Sequence, residues 1–157
     1  HSGSQIIDWT PEGSMAKDRH LYPRFISFVK ESIAELEAKG HAVELAGVFY
    51  HLGENDMSFH PYRKDAATRL QAIVGQSREG LGLPKLKWFV SQQPPTDVER
   101  LNKLDVVSDV AKVAGSDPAI IHLKAFDLPP QEKRLVIRAD GIVALGELIA
   151  QGYLRQK

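Results

Sequence analysis

Apolar positions along the chain change their spacing in a regular order. From Leu21 to Ala38, Leu21, Phe25, Phe28, Val29, Ile33 and Leu36 recur at helical intervals and predict a helix that Gly40 ends. Val43 to Tyr50 is a short β-branched and aromatic run broken only by Glu44, which predicts a buried strand closed by the polar loop Gly53-Glu54-Asn55-Asp56. Tyr62, Ala66, Leu70, Ile73 and Val74 predict a second helix, ended by Gly80-Leu81-Gly82-Leu83-Pro84. A second strand is expected over Leu86 to Val90, with a loop over Ser91 to Pro95. Thr96 is placed to cap a third helix carrying Val98, Leu101, Leu104, Val107 and Val110 on one side. Ala119 to Leu123 reads as a third strand, and Ile142, Leu145, Leu148 and Ile149 as one stripe of a final helix. The Leu21–Leu36 and Ile142–Ile149 stripes are read as core-facing.

Helices alternating with strands predict right-handed βαβ crossovers and a parallel sheet covered on both faces, the α/β class with three layers. In such sheets function collects beyond the carboxyl ends of the strands. That puts Gly53 to Asp56, Ser91 to Pro95 and the stretch after Phe126 on one rim. The length of 157 residues, with 43% apolar and 25% charged, suits one domain over residues 1–157. Lys plus Arg and Asp plus Glu number 20 each, so there is no basic excess to pull in nucleic acid. No uncharged apolar stretch approaches the ~20 residues that cross a bilayer, so no membrane partner is expected. The absence of cysteine removes disulfides, thiolate nucleophiles and thiolate metal sites together. Six histidines are present, but none pairs with another at the i, i+4 spacing of a zinc helix, so no metal is assigned.

The segment with most chemistry in it is Phe49-Tyr50-His51-Leu52-Gly53-Glu54-Asn55-Asp56, a G-x-N-D sequence directly after a predicted strand. Glycine permits a sharp turn and close approach of backbone to a ligand, and an asparagine amide can donate to a developing oxyanion. Gly-Asn-Asp turns also end strands for structural reasons alone, so both readings stand. Gln92 and Gln93 lie on the same rim, where they could bond sugar hydroxyls or simply flank a turn. His51 at a strand end, His122 inside a strand pattern and Asp127 just past it are candidate bases or acids, with a structural role the alternative for each. Trp9 and Trp88 read as packing aromatics. Gly75-Gln76-Ser77 closes a helix pattern instead of following a strand, so it is not read as a nucleophile turn.

The run Gly47 to Asp56 resembles the third conserved block of the SGNH hydrolases, in particular the W-H-Q-G-E-S-D segment of the sialate O-acetylesterase and acetylxylan-esterase-related branch. Gly53 and Asn55 match the general block, and His51, Gly53, Glu54 and Asp56 match the longer one. Trp9, Leu21-Tyr22, Tyr62, Arg78 and the Pro84–Val90 strand fall where that branch has comparable residues. Gly141 to Ala150 is similar to its terminal G-x-x-x-L-G-x-x-x-A helix. The resemblance implies a flavodoxin-like SGNH sheet and a serine esterase that removes acetyl groups from sugars without metal or organic cofactor. It implies that Gly53 and Asn55 bind the oxyanion while Glu54 and Asp56 support the loop. It also implies an acylated carbohydrate as partner and, for many relatives, a secreted or periplasmic location; the residues themselves leave the compartment open.

Three departures qualify this. Leu52 replaces the branch's glutamine, which passes the oxyanion role to Asn55. The family's D-x-x-H should end five residues before Gly141, where this chain has Val136, with Lys133 at the acid position. The block with the nucleophilic serine has no counterpart, and Ser2-Gly3-Ser4-Gln5 resembles the family's middle region. The chain is therefore expected to be the carboxyl-terminal part of an esterase domain, incomplete on its amino-terminal side. About 100 further residues would precede it. In the order 2-1-3-4-5 the last three strands alone leave one edge bare, to be filled by the missing segment or by self-association. A non-catalytic relative that binds carbohydrate or serves a structural role is the alternative, and Val136 is the feature in its favour.

Overall fold

The computed structural model describes residues 3–15, 18–58, 63–96, 104–130 and 137–157. Three strands, β1 (Val48–Leu52), β2 (Trp88–Gln92) and β3 (Ile120–His122), form one parallel sheet in the order β1-β2-β3. Val48 pairs with Trp88 and Leu52 with Gln92, while Trp88 pairs with Ile120 on the other side. The helices are α1 (Tyr22–Ala38), α2 (Glu54–Ser58), α3 (Ala66–Leu81), α4 (Leu104–Ser116) and α5 (Ala139–Leu154), with 3-10 turns at Ile6–Trp9 and Ala125–Asp127. This is the expected α/β/α arrangement around a parallel sheet, and the sheet is incomplete: among the described residues no strand lies beside the outer edge of β1.

The predicted elements are present with shifted limits. β2 lies two residues later than its hydrophobic run indicates, while β1 starts five residues later and ends two later. Gly47 explains the offset. A Cβ there would stand 2.9 Å from the Phe89 ring and 3.0 Å from the Lys87 carbonyl, so this residue lets the two chains close, and Val48 N–H then bonds Lys87 O at 2.9 Å. Val43 to Ala46 run ahead of that contact and stay outside the sheet. Gly47→Ala is expected to cost about 1–3 kcal/mol, since the clash is with backbone and a buried ring. Urea unfolding of the two proteins measures it.

Helix ends follow cap chemistry. Gly82 is left-handed (φ 69°) and Leu83 N–H reaches back to Arg78 O at 2.9 Å, so α3 stops there, one turn beyond Ser77. Ser77 is buried in that helix with its hydroxyl on Val74 O, away from any strand end. Tyr62 and residues 97–103 lie outside the described residues, as do the expected Val98 and Leu101 contacts. On α4 the core side chains are Val106, Val110 and Val113, where Val107 had been expected.

The main core is built on β1 and β2 from Leu52, Trp88 and Val90 against Leu70, Ile73 and Val74 of α3 and Val106 and Val110 of α4. Two stripes expected to face a core do so only in part: Leu21 and Leu145 are buried and Phe25 packs against the core, but other members are exposed. No residue of α1 is buried, Phe28 is 70% exposed, and on α5 Ile142 is 59% exposed with Val143 beside it. Phe49 of β1 is 47% exposed. An amphipathic helix needs an apolar layer beneath it, and a three-stranded sheet does not extend far enough to supply one.

Candidate active site

The strand ends converge on one rim. β1 ends at Leu52, Gly53 follows, and α2 begins at once, with Met57 N–H on Gly53 O at 3.2 Å. The G-E-N-D sequence is thus a strand-to-helix junction, where the sequence predicts a loop. Gly53 is not left-handed, and a Cβ at this position would meet open space. Its contribution is therefore an uncovered strand end, not a special turn. Asn55 sits half-buried in the first turn of α2, with Glu54 also part-exposed beside it.

Asp56 turns the other way. It is 2% exposed, and its two carboxyl oxygens lie 2.9 and 3.2 Å from the N–H of Ile6, fifty positions earlier. Burial, first of all, pushes its carboxyl up to about 7, against the opposing pull of the Ile6 N–H and Arg69. The amino-terminal turn it holds is tied within itself: Asp8 accepts Gln5 N–H at 2.9 Å and faces Arg19, and Trp9 donates its indole N–H to Ser4 Oγ at 3.0 Å. Ser4, Trp9, Phe25, Tyr50, His51, Asp56 and Trp88 bound a cavity of about 320 Å³ along the bare flank of β1. Burial also raises the Tyr50 phenol well above its ordinary range, with Asp56 and Asp8 adding to the effect.

The remaining candidates form two cross-strand pairs. His51 Nδ1 lies 2.9 Å from Ser91 Oγ, directly opposite in the register, and Gln93 bonds the same imidazole. Burial lowers the His51 pKa, so the ring is neutral near pH 7. Ser91 is 1% exposed inside the sheet, which makes this a sheet-end hydrogen bond and not a nucleophile with its base. His122 Nε2 lies 3.0 Å from Gln92 Oε1, so the Nε2–H tautomer donates to it. Burial and then Lys124 lower the pKa of His122, while Asp127 in the turn after β3 opposes them. Gln92 and Gln93, expected on the rim, are 0% and 2% exposed. Among the described residues the buried Gln92 amide nitrogen has no acceptor.

The structure thus brings His51 to Ser91 and Gln93, and His122 to Gln92. Among the described residues no hydrogen bond links the polar groups of Asn55 or Gly53 to either pair. Lys133 and Val136 lie outside the described residues. Asp8, Ser4 and Tyr50 escaped sequence reasoning. The one local signal was the Gln5-x-x-Asp8 spacing, which allows Asp8 to cap the backbone three residues earlier. Among the described residues no group of three His, Asp or Glu side chains is arranged to hold a metal, and no helix is long and apolar enough to cross a membrane.

The sequence profile of a carbohydrate esterase family, the sialic acid-specific acetylesterases, matches residues 1–155. The chain belongs to this family. The resemblance seen in the Gly47–Asp56 and Gly141–Ala150 segments is therefore part of a match over nearly its whole length. A search of curated proteins returned no match. Among solved structures, a protein from Arabidopsis thaliana superposes with a TM-score of 0.70 at 21% identity, over 98% of this chain and 57% of that one. At that identity the likeness is one of fold. This acetylesterase-family chain spans little more than half the length of that relative.

Proposed function

We propose that the chain is the carboxyl-terminal part of a serine-type carbohydrate O-acetylesterase. Its partner would be an acetylated sugar, and its nucleophile would arrive on a segment that precedes His1 and pairs with the bare edge of β1. The observation that carries this reading is the Gly53-Glu54-Asn55-Asp56 junction at the end of a strand whose outer flank is unpaired among the described residues, in a chain of an acetylesterase family. A serine at the end of an adjoining strand would stand beside that junction, as strand ends of a parallel sheet share one rim.

In the proposed reaction the serine oxygen attacks the acetyl carbonyl and gives its proton to a base. The Asn55 amide donates to the oxygen as it gains charge. The carbonyl re-forms as the sugar hydroxyl leaves with that proton. Water then repeats the attack on the acetyl-serine, releasing acetate and restoring the serine. Gly53 leaves the space above β1 open for the substrate, and Glu54 and Asp56 hold the junction. The neutral imidazoles of His51 and His122 and the carboxylate of Asp127 are the described candidates for base and acid, and Gln92 and Gln93 for sugar contacts.

The test is a p-nitrophenyl acetate assay on the full-length polypeptide that contains this chain. Acetate release that disappears when the upstream serine is replaced supports the esterase. A longer polypeptide that folds but releases no acetate favours the non-catalytic relative, for which Val136 at the expected base position is the specific support.

A further inference from the structure

We propose that a second copy of this chain occupies the open flank of β1, pairing β1 with β1 antiparallel and α1 with α1 about a single two-fold axis. The backbone sets the register. Val48 N–H bonds Lys87 O at 2.9 Å and Leu52 O accepts Gln93 N–H at 2.8 Å, so Val48, Tyr50 and Leu52 turn their peptide groups toward β2. Alternate residues of a strand point these groups to opposite sides, which puts those of Phe49 and His51 on the outer flank. Among the described residues no strand meets them there, and such a row is a template for another chain. With Tyr50 at the axis, Phe49 stands opposite His51 of the partner subunit. The two then exchange both backbone bonds, as an antiparallel ladder requires. The other edge of the sheet, β3, is only three residues long, so pairing through β1 closes at two copies instead of growing into a fibre.

Helix α1 points to the same axis independently. α3 packs on both α1 and α4, and α4 reaches β3, so α1 lies on the β1 side of the molecule. Its Tyr22 and Ile26 lie against Gly80 of α3. Arg24, Phe28, Glu31 and Glu35 fall half a turn round the helix from that contact. All four are exposed, Phe28 by 70%, and they face outward past the bare edge. This stripe is basic at its amino end and acidic at its carboxyl end. The axis that runs β1 antiparallel to its copy does the same for α1, which sets Arg24 against Glu35 of the partner subunit with Phe28 between them. A solvated face would account for the charges but not for Phe28 among them. The formal net charge is zero, so two copies do not repel. The chain exposes 9146 Å², roughly 1,200 Å² more than a compact monomer of 17.5 kDa is expected to show. A standard interface takes about 800 Å² from each partner. The inference does not rest on the esterase reading. The proposed preceding segment and a second copy exclude each other on this flank, so the contact belongs to this chain by itself.

The experiment is sedimentation equilibrium of this chain from micromolar to millimolar concentration, with amide hydrogen exchange on the same samples. The expected mass rises with concentration from 17.5 kDa to twice that value and no further. The Phe49 and His51 amides should exchange more slowly as the dimer fills. Arg24→Glu should weaken association about tenfold, because the axis repeats the lost pair and the new repulsion. Adding Glu35→Arg to it should restore association to within about threefold. Both positions are exposed, and circular dichroism confirms that the variants fold. A monomer at every concentration, Phe49 and His51 exchange that ignores concentration, an association that Arg24→Glu leaves unchanged, or a double variant that stays weak overturns the proposal. Should a variant not fold, the mass and the two amides of the wild type still decide it. None of these readings uses turnover, so a failed esterase assay leaves this test intact.

Discussion

Replacing Asn55 by alanine in the full-length polypeptide should, on the esterase reading proposed above, lower kcat by about 100-fold or more while leaving the unfolding midpoint nearly unchanged. Both halves follow from its position. The carboxamide is half-buried in the first turn of α2, outside the core cluster, with no described hydrogen bond that its removal would break. Truncation therefore exposes no buried partner and opens no cavity, and surface-like substitutions of this kind usually stay within about 0.5 kcal/mol. Its proposed bond forms only as the acetyl oxygen gains charge, so its loss should fall on kcat and kcat/KM together, with KM little changed. Steady-state kinetics with p-nitrophenyl acetate and a urea curve on the same preparation decide it. A drop in stability that accounts for the lost rate would return Asn55 to a structural role, and an unchanged kcat would move the oxyanion site elsewhere.

How much of this was legible in the sequence differs from element to element. The alternation of helix and strand could be read because buried parallel strands are continuously apolar and helices carry a stripe at 3.6-residue spacing. The strand limits could not, because pairing begins where Gly47 lets β1 approach Lys87 and Phe89, a contact across forty residues. Phe28, Leu36 and Ile142 have core-like spacing in the sequence, yet they are exposed. A stripe states that a helix has a face to cover, not what covers it. Gln92 and Gln93 show the converse. Polar residues at a strand end suggest a rim, but the central strand is enclosed by its neighbours, and these amides meet His122 and His51.

The site is legible to the same degree. The G-E-N-D sequence follows directly on β1, as the apolar run before it indicates. That Asp56 turns inward to Ile6, and that Asn55 is the side chain left facing outward, depends on a partner fifty residues away and on the short helix α2, which the sequence reads as a loop. No periodic signal encodes such a long-range contact. A base is harder still, because the largest influence on the pKa of both His51 and His122 is burial, which lowers it and is a property of the packed sheet.

The largest loss of stability is expected at Trp88. It sits at the start of the central strand, 1% exposed, with β1 on one side and β3 on the other. Its ring meets Phe25 edge-on at 6.5 Å and Tyr50 at 6.1 Å, joining α1 to the sheet in a helix that buries no residue fully. Trp88→Ala should therefore cost about 3–5 kcal/mol, the usual range for an aromatic removed from a core. Against a total of about 5–15 kcal/mol, that leaves little margin. Trp88→Phe separates the ring from its polar edge. Among the described residues the buried indole N–H has no acceptor, so phenylalanine keeps most of the apolar contact and removes a donor whose burial unpaired is itself unfavourable. Its cost should stay below about 1.5 kcal/mol. Urea midpoints for the three proteins test both values, and a phenylalanine variant as unstable as the alanine one would mean that the indole N–H has an acceptor in solution. The same contrast bears on the bare edge of β1, because Trp88 lines the cavity along it. If a segment ahead of His1 fills that cavity and offers an oxygen to the indole, Trp88→Phe should cost more in the full-length polypeptide than in this chain.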